Sequence, residues 1–177
     1  MQPGDVIASD RGARSGGVGD IERAWQILRD VMDPEVPVVS VVDLGIVREV
    51  EWAAGHLHLV VTPTYSGCPA TEVIEQDITH ALERAGFDNP SLERRLTPAW
   101  TTDWISEHGR ERLRAYGIAP PVGSASKRSL LGEQPVISCP HCGSERTERL
   151  SEFGSTACKA LYRCQECLEP FDYFKCI

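Results

Sequence analysis

Two C-x-x-C pairs, Cys139/Cys142 in SCPHCGS and Cys164/Cys167 in YRCQECLEP, stand 21 residues apart in the last third of this 177-residue chain. A C-x-x-C pair in a tight turn presents both sulfurs to one ion, and two such turns side by side complete the tetrahedral four-sulfur shell that zinc prefers. The spacing predicts one structural zinc on Cys139, Cys142, Cys164 and Cys167. Two disulfides or redox dithiols are the competing reading. Redox motifs, however, come singly on a βαβ unit, and nothing marks the chain as secreted. An iron-sulfur cluster on the same sulfurs stays open.

A separate cysteine, Cys68, stands in TPTYSGCP immediately before Pro69. Proline is favoured at the first position of a helix, which predicts Cys68 as the N-cap, facing unpaired amides and the positive end of the helix dipole. Such a thiol is a nucleophile or a soft-metal ligand; a structural cap is the alternative. No basic residue or His adjoins it in sequence to act as a base, which favours metal or cluster binding over acyl transfer. Asp33, Glu35 and Asp43 occupy one loop and are candidates to complete a mixed thiolate-carboxylate site, against the plainer reading as solvated or capping carboxylates. His56 and His58 share one face of a strand, as metal ligands or as a polar row.

These side chains need a scaffold, and the apolar pattern describes one. Ile21, Ala24, Trp25, Leu28 and Val31 mark an amphipathic helix starting at an Asp20 cap. Residues 46–52 and 56–62 read as a hairpin around Ala53-Ala54-Gly55. Ile74, Ile78, Ala81, Leu82 and Ala85 mark a second helix stopped by Gly86. A third strand covers residues 92–96, and TTDWISEHGRERLRAYGI reads as a third helix interrupted at Gly109. The expected fold is α/β of the α+β type: a small mixed sheet with elements in the order α-β-β-α-β-α, followed by a C-terminal zinc ribbon. The domain reading is a disordered arm over 1–19, the α/β domain over 20–117, a linker over 118–136 and the ribbon over 137–177.

A formal net charge of -8 opposes attraction to phosphate backbones, so a nucleic-acid role is disfavoured. The first twenty residues lack the apolar run of a signal peptide, and no stretch approaches the roughly 20 apolar residues of a membrane span. A cytoplasmic protein with reduced thiols is expected.

The string DPEVPVVSVVDLGIV, followed by TPTYSGCPATEVIEQDI, resembles the metal-sulfur cluster assembly domain of SufT-like proteins over residues 20–117. The tail from SCPHCGS to FDYFKCI resembles the PaaD family, whose members serve the phenylacetyl-CoA ring epoxidase system. The resemblance implies an accessory or maturation subunit in aerobic phenylacetate catabolism. Its work would be to assist iron or iron-sulfur cluster assembly in the oxygenase or reductase components, which would be its partners. The alternative is a structural bridging subunit with no metal-transfer role. By motif position Cys68 matches the functional cysteine, Asp33, Glu35 and Asp43 match the acidic loop positions, and Cys158 and Cys176 match additional thiols of the tail.

Catalysis is not expected of this chain itself. A di-iron epoxidase needs E-x-x-H ligands on a four-helix bundle, and no such motif occurs. A nicotinamide-dependent reductase needs G-x-G-x-x-G after a strand, which is also absent.

Overall fold

The computed structural model describes residues 17–122 and 136–175. Most of the expected arm, most of the expected linker, and Cys176 lie outside the described residues. The first module runs α1 (Val18–Leu28), β1 (Val47–Ala53), β2 (His56–Val61), α2 (Thr71–Arg84), β3 (Ser91–Arg94), a single 3-10 turn (Thr102–Trp104) and α3 (Glu107–Ala115). The second sheet holds β4 (Ile118–Ala119), β5 (Thr147–Ser151), β6 (Lys159–Cys164) and β7 (Pro170–Phe174). The expected mixed sheet is present: β1 pairs antiparallel with β2, and β2 pairs parallel with β3.

The first and third helices differ from the sequence expectation. The first helix begins at Val18 with Gly17 as its N-cap, and Asp20 is the third helical residue, whose carboxylate accepts from the Gly17 amide. An acidic side chain reaching back to the cap satisfies an amide that would otherwise be orphaned. The third helical segment is divided at Ile105-Ser106 and not at Gly109, because the Ser106 hydroxyl accepts from the Gly109 amide and starts α3 there. Gly109 is buried in α3, where a Cβ would lie 3.1 Å from the Asp43 side chain. Lack of a side chain is what lets the helix approach the Asp43 loop.

Glycine is also forced in the D-L-G string. Gly45 has φ +68, and a Cβ there would sit 2.7 Å from both the Cβ and the carbonyl oxygen of Trp104. Next to it, the Trp100 indole donates to the Leu44 carbonyl at 2.8 Å. The loop after α1 is thereby clamped against the segment before α3.

The core of the first module gathers Leu28, Val39, Leu57, Leu59, Ile78 and Leu82, drawn from both helix stripes, the loop after α1 and the inward face of β2. Phe174 of β7 and Cys158 belong to this same core, and the Phe174 ring lies 6.4 Å from that of Trp100. Neighbouring positions on a strand face opposite ways. Accordingly Phe171 and Tyr173 join a second cluster with Cys139 and Cys164, while Phe174 serves the first. Strand β4, in the segment read as linker, adds a parallel pairing of Ile118-Ala119 with Asp172-Tyr173. Of the tail's aromatic residues, Phe171 and Tyr173 lie around the cysteines. Phe174 packs into the other core, and Phe153 is 63% exposed, under the Lys175 ammonium.

Because Phe174 is 1% exposed and belongs to the first module's core, Phe174→Ala should destabilise the whole fold by about 3–5 kcal/mol. Denaturant unfolding followed by Trp100 fluorescence and by a ribbon probe should show both transitions shifting together.

Candidate metal centre and the Cys68 loop

The four cysteines of the tail are set on two facing turns. Before β5, the Cys139 amide donates to the Ser144 carbonyl at 2.8 Å, the Gly143 amide donates to Cys139 at 2.9 Å, and Gly143 takes φ +78. Between β6 and β7, the Cys164 amide donates to Glu169 at 3.0 Å, and Leu168 takes φ +65. The sulfurs end 3.8 Å apart for Cys139 and Cys167 and 3.5 Å apart for Cys142 and Cys164, and all four lie within 4.8 Å of one another. A disulfide needs about 2.05 Å, so these are thiols. Metal-sulfur bonds of about 2.3 Å in a tetrahedron place sulfurs about 3.8 Å apart, and the quartet fits that shell.

Electrostatics favour the same occupant. Burial works against ionising Cys164, but the amides of Cys167 and Glu166 and the thiols of Cys142 and Cys167 prevail and bring it to about 6. At Cys167 the Glu169 amide favours thiolate, yet burial and the three neighbouring sulfurs push the thiol up to about 12. Sulfurs this close resist ionising together, and a divalent cation at their centre removes that resistance. Ile137, Phe171 and Tyr173 enclose the buried pair Cys139 and Cys164, and Cys142 faces outward.

Cys68 does not cap α2, contrary to the expectation from Pro69. Ala70 is the N-cap; the Cys68 carbonyl instead accepts from the Thr71 amide at 3.2 Å, and its amide donates to Tyr65 at 3.2 Å. Two successive turns set the cysteine ahead of the helix, half-buried against the first core. It lines a small recess with Ile46, Val61, Pro63 and Thr64.

The acidic loop is folded back on itself by Asp33, whose Oδ1 accepts from the amides of Glu35 and Val36, both at 2.8 Å. Asp33 is 7% exposed, and burial raises its carboxyl despite those amides and nearby Lys159. Glu35 is raised by burial and then by Asp33. Its Oε2 lies 3.9 Å from the Cys158 sulfur, a contact between residues 123 positions apart. Asp43 is engaged elsewhere: it accepts from Ser106 at 2.6 Å and Ser40 at 3.0 Å and meets His108 Nδ1 at 3.1 Å. Burial opposes its charge, but those partners hold its carboxyl below the ordinary range. His56 and His58 both meet the Ser91 hydroxyl, at 3.0 and 2.8 Å.

The structure thus brings Asp33 and Glu35 to Cys158, and ties Asp43 to the start of α3. Lys159, 5% exposed and paired with Asp172 at 3.2 Å, was not singled out by sequence reading, nor were Tyr65 and His108. Only the pairing of strands across the two modules places Lys159 beside the acidic loop, and no local sequence signal carries that.

The fold and the two sulfur sites define a class: a cluster-assembly domain carrying a zinc ribbon. Residues 21–86 match the iron-sulfur cluster assembly protein family, and residues 123–175 match the PaaD zinc beta ribbon domain. The chain is 50% identical over 157 residues to the candidate D subunit of the 1,2-phenylacetyl-CoA epoxidase from Escherichia coli K12, covering 89% of this chain and 93% of that protein. It belongs to the family of 1,2-phenylacetyl-CoA epoxidase D subunits. The chain is also 34% identical over 90 residues to an Fe-S protein maturation auxiliary factor of Porphyromonas gingivalis, covering 50% of this chain and 85% of that protein. A further such factor, YitW of Bacillus subtilis, is 31% identical over 94 residues, covering 52% and 91%. Among the described residues no helix is long and apolar enough to cross a membrane.

The Asp33 charge opposes folding. Its folded-state carboxyl is raised above the unfolded value, so its contribution is favourable below the unfolded value and turns against the fold as pH rises through the raised one. Asp33→Asn keeps an oxygen for the two amides and removes the charge. It should raise thermal stability at pH 7, with the difference vanishing near pH 3, as measured by calorimetry across that range.

Proposed function

We propose that this chain is a maturation subunit of the phenylacetyl-CoA epoxidase system, handling iron or an iron-sulfur cluster on its way to the oxygenase or reductase components. The observation that carries this reading is Cys68, a free and half-buried thiol on a polar turn in the module that matches the iron-sulfur assembly family. Thiolate is the natural ligand for such cargo, and a turn ahead of a helix leaves one side of the sulfur open to a partner. Asp33 and Glu35, both with raised carboxyls, provide hard donors that release iron more readily than an all-sulfur shell would. The acidic balance of the chain suits docking to cytoplasmic protein partners better than nucleic acid or anionic lipid. In cells carrying Cys68→Ala, reductase cluster content and oxygenase iron occupancy should fall severalfold. Both remaining at wild-type levels, with the chain in fixed stoichiometry in the purified complex, would instead establish a bridging role.

The resident metal of the ribbon is zinc in this reading, held by Cys139, Cys142, Cys164 and Cys167. Zinc would supply no chemistry there beyond holding the two turns together, since four protein sulfurs leave no open position. Thiolate binding of zinc supplies on the order of 10 kcal/mol to a segment whose own core is limited to Ala119, Ile137, Ala160, Phe171 and Tyr173 beside the cysteines. Elemental analysis should find one zinc per chain, and its chelation should unfold β5 to β7. Iron with visible charge-transfer absorbance in its place would sink the assignment.

A further inference from the structure

The recess beside Cys68 lies between the start of β1, the end of β2 and the first turns of α2. Ile46, Val61 and Ile74, each at most 4% exposed, form its walls together with Pro63. Its volume is about 10 Å³, room for a single guest the size of a water molecule. Thr64 lines it too, 8% exposed, and its hydroxyl has no hydrogen-bond partner among the described residues. A buried hydroxyl without a partner forfeits free energy that a guest in the recess would restore. Glu75, which also lines it, has both carboxylate oxygens engaged by Arg94 at 2.7 Å.

These features select the guest. A buried water needs two to four polar partners, and walls of this kind supply few. The metal-ligating groups that converge among the described residues are the ribbon's sulfur quartet, so the recess is not a preformed ion shell. A sulfur atom is little larger than water, is polarisable, and is at ease among aliphatic side chains. Bonded to Cys68 as a persulfide, it needs a hydrogen-bond donor for its charge, and Thr64 offers one. On the other side of the cysteine Ser66, Gly67 and Pro69 are exposed, which leaves the turn open to an approaching donor.

We propose that Cys68 is a sulfur acceptor: it takes the terminal sulfur of a persulfide and holds it in this recess, where the Thr64 hydroxyl donates to it. The inference rests on the reading of Cys68 as the working thiol of the first module. In the transfer the Cys68 thiolate attacks the terminal sulfur of a persulfide R–S–S–H. A sulfur-sulfur bond to Cys68 forms as the donor's own S–S bond breaks, the persulfide proton moves to the departing sulfur, and R–SH leaves. The transferred sulfur keeps its oxidation state, so no oxidant or reductant is consumed. The product is one of the reversible forms of cysteine, ready to pass its sulfur on.

The test uses the zinc-loaded full chain, treated anaerobically with glutathione persulfide. Mass spectrometry after alkylation should find one added sulfur on the peptide that holds Cys68, and cyanide should release it as thiocyanate. Thr64→Val keeps the shape of the side chain and removes the hydroxyl. It should lose the sulfur to cyanide roughly tenfold faster, or fail to retain it, while Thr64→Ser behaves as wild type. Should Thr64→Val fail to fold, as judged by melting, Thr64→Ala measured against Thr64→Ser makes the same comparison. No added sulfur on Cys68 in the wild type, or equal release from the variants with and without the hydroxyl, would overturn the acceptor role. If client iron still falls in cells carrying Cys68→Ala, the maturation reading stands and this inference alone is lost.

Discussion

The two-sided packing of β7 is the constraint on which the rest of the molecule depends. Its odd-numbered residues, Phe171 and Tyr173, wall the sulfur quartet, while Phe174 is sunk beside Trp100 in the first core. Asp172, facing the same way as Phe174, pairs with Lys159. A strand that buries both faces has no freedom to slip, since a shift of one residue would exchange every one of these environments. Register on β7 therefore sets where the turn carrying Cys164 and Cys167 lies, and also where Cys158 meets Glu35.

That arrangement concentrates unfavourable electrostatics in one place. Burial comes first in holding Asp33, Glu35 and Cys158 toward their protonated forms; the charge of Asp33 adds to it at Glu35, and the charges of Glu35 and Asp33 add to it at Cys158. Groups whose environment disfavours their charged state gather at sites that bind or react. Asp43 shows the contrast: with Ser40, Ser106 and His108 as partners it is held as a stable carboxylate and serves to anchor α3. Two loop acids ten residues apart are thus set to different tasks by their surroundings alone.

Much of this was legible in the sequence wherever the signal was local. The C-x-x-C spacing described the quartet because the geometry of each turn depends on four consecutive residues, and the hairpin at Ala53-Ala54-Gly55 and the stripe through Ile74, Ile78 and Leu82 were equally self-contained. The start of α2 was misplaced because Pro69 fits a turn as well as it fits a first helical position, and hydrogen bonds from Tyr65 to Thr71 decide between them. Gly109 looked like a helix breaker, since propensity records the cost of a missing side chain and not the room it gives Asp43. The seam itself had no local signature: Glu35 and Cys158 meet only because β4, β6 and β7 form one sheet.

The parallel pairing of β4 with β7 also bears on how such chains can be recombined. The maturation factors from Porphyromonas gingivalis and Bacillus subtilis are matched over most of their own length by about half of this chain. Here Phe174 closes the first core, and a graft that ended after β4 would carry away an unpaired Ile118-Ala119 and an uncovered Trp100. The transplantable unit is consequently the joined pair, since a cut between the modules leaves the pairing of Ile118-Ala119 with Asp172-Tyr173 unmade.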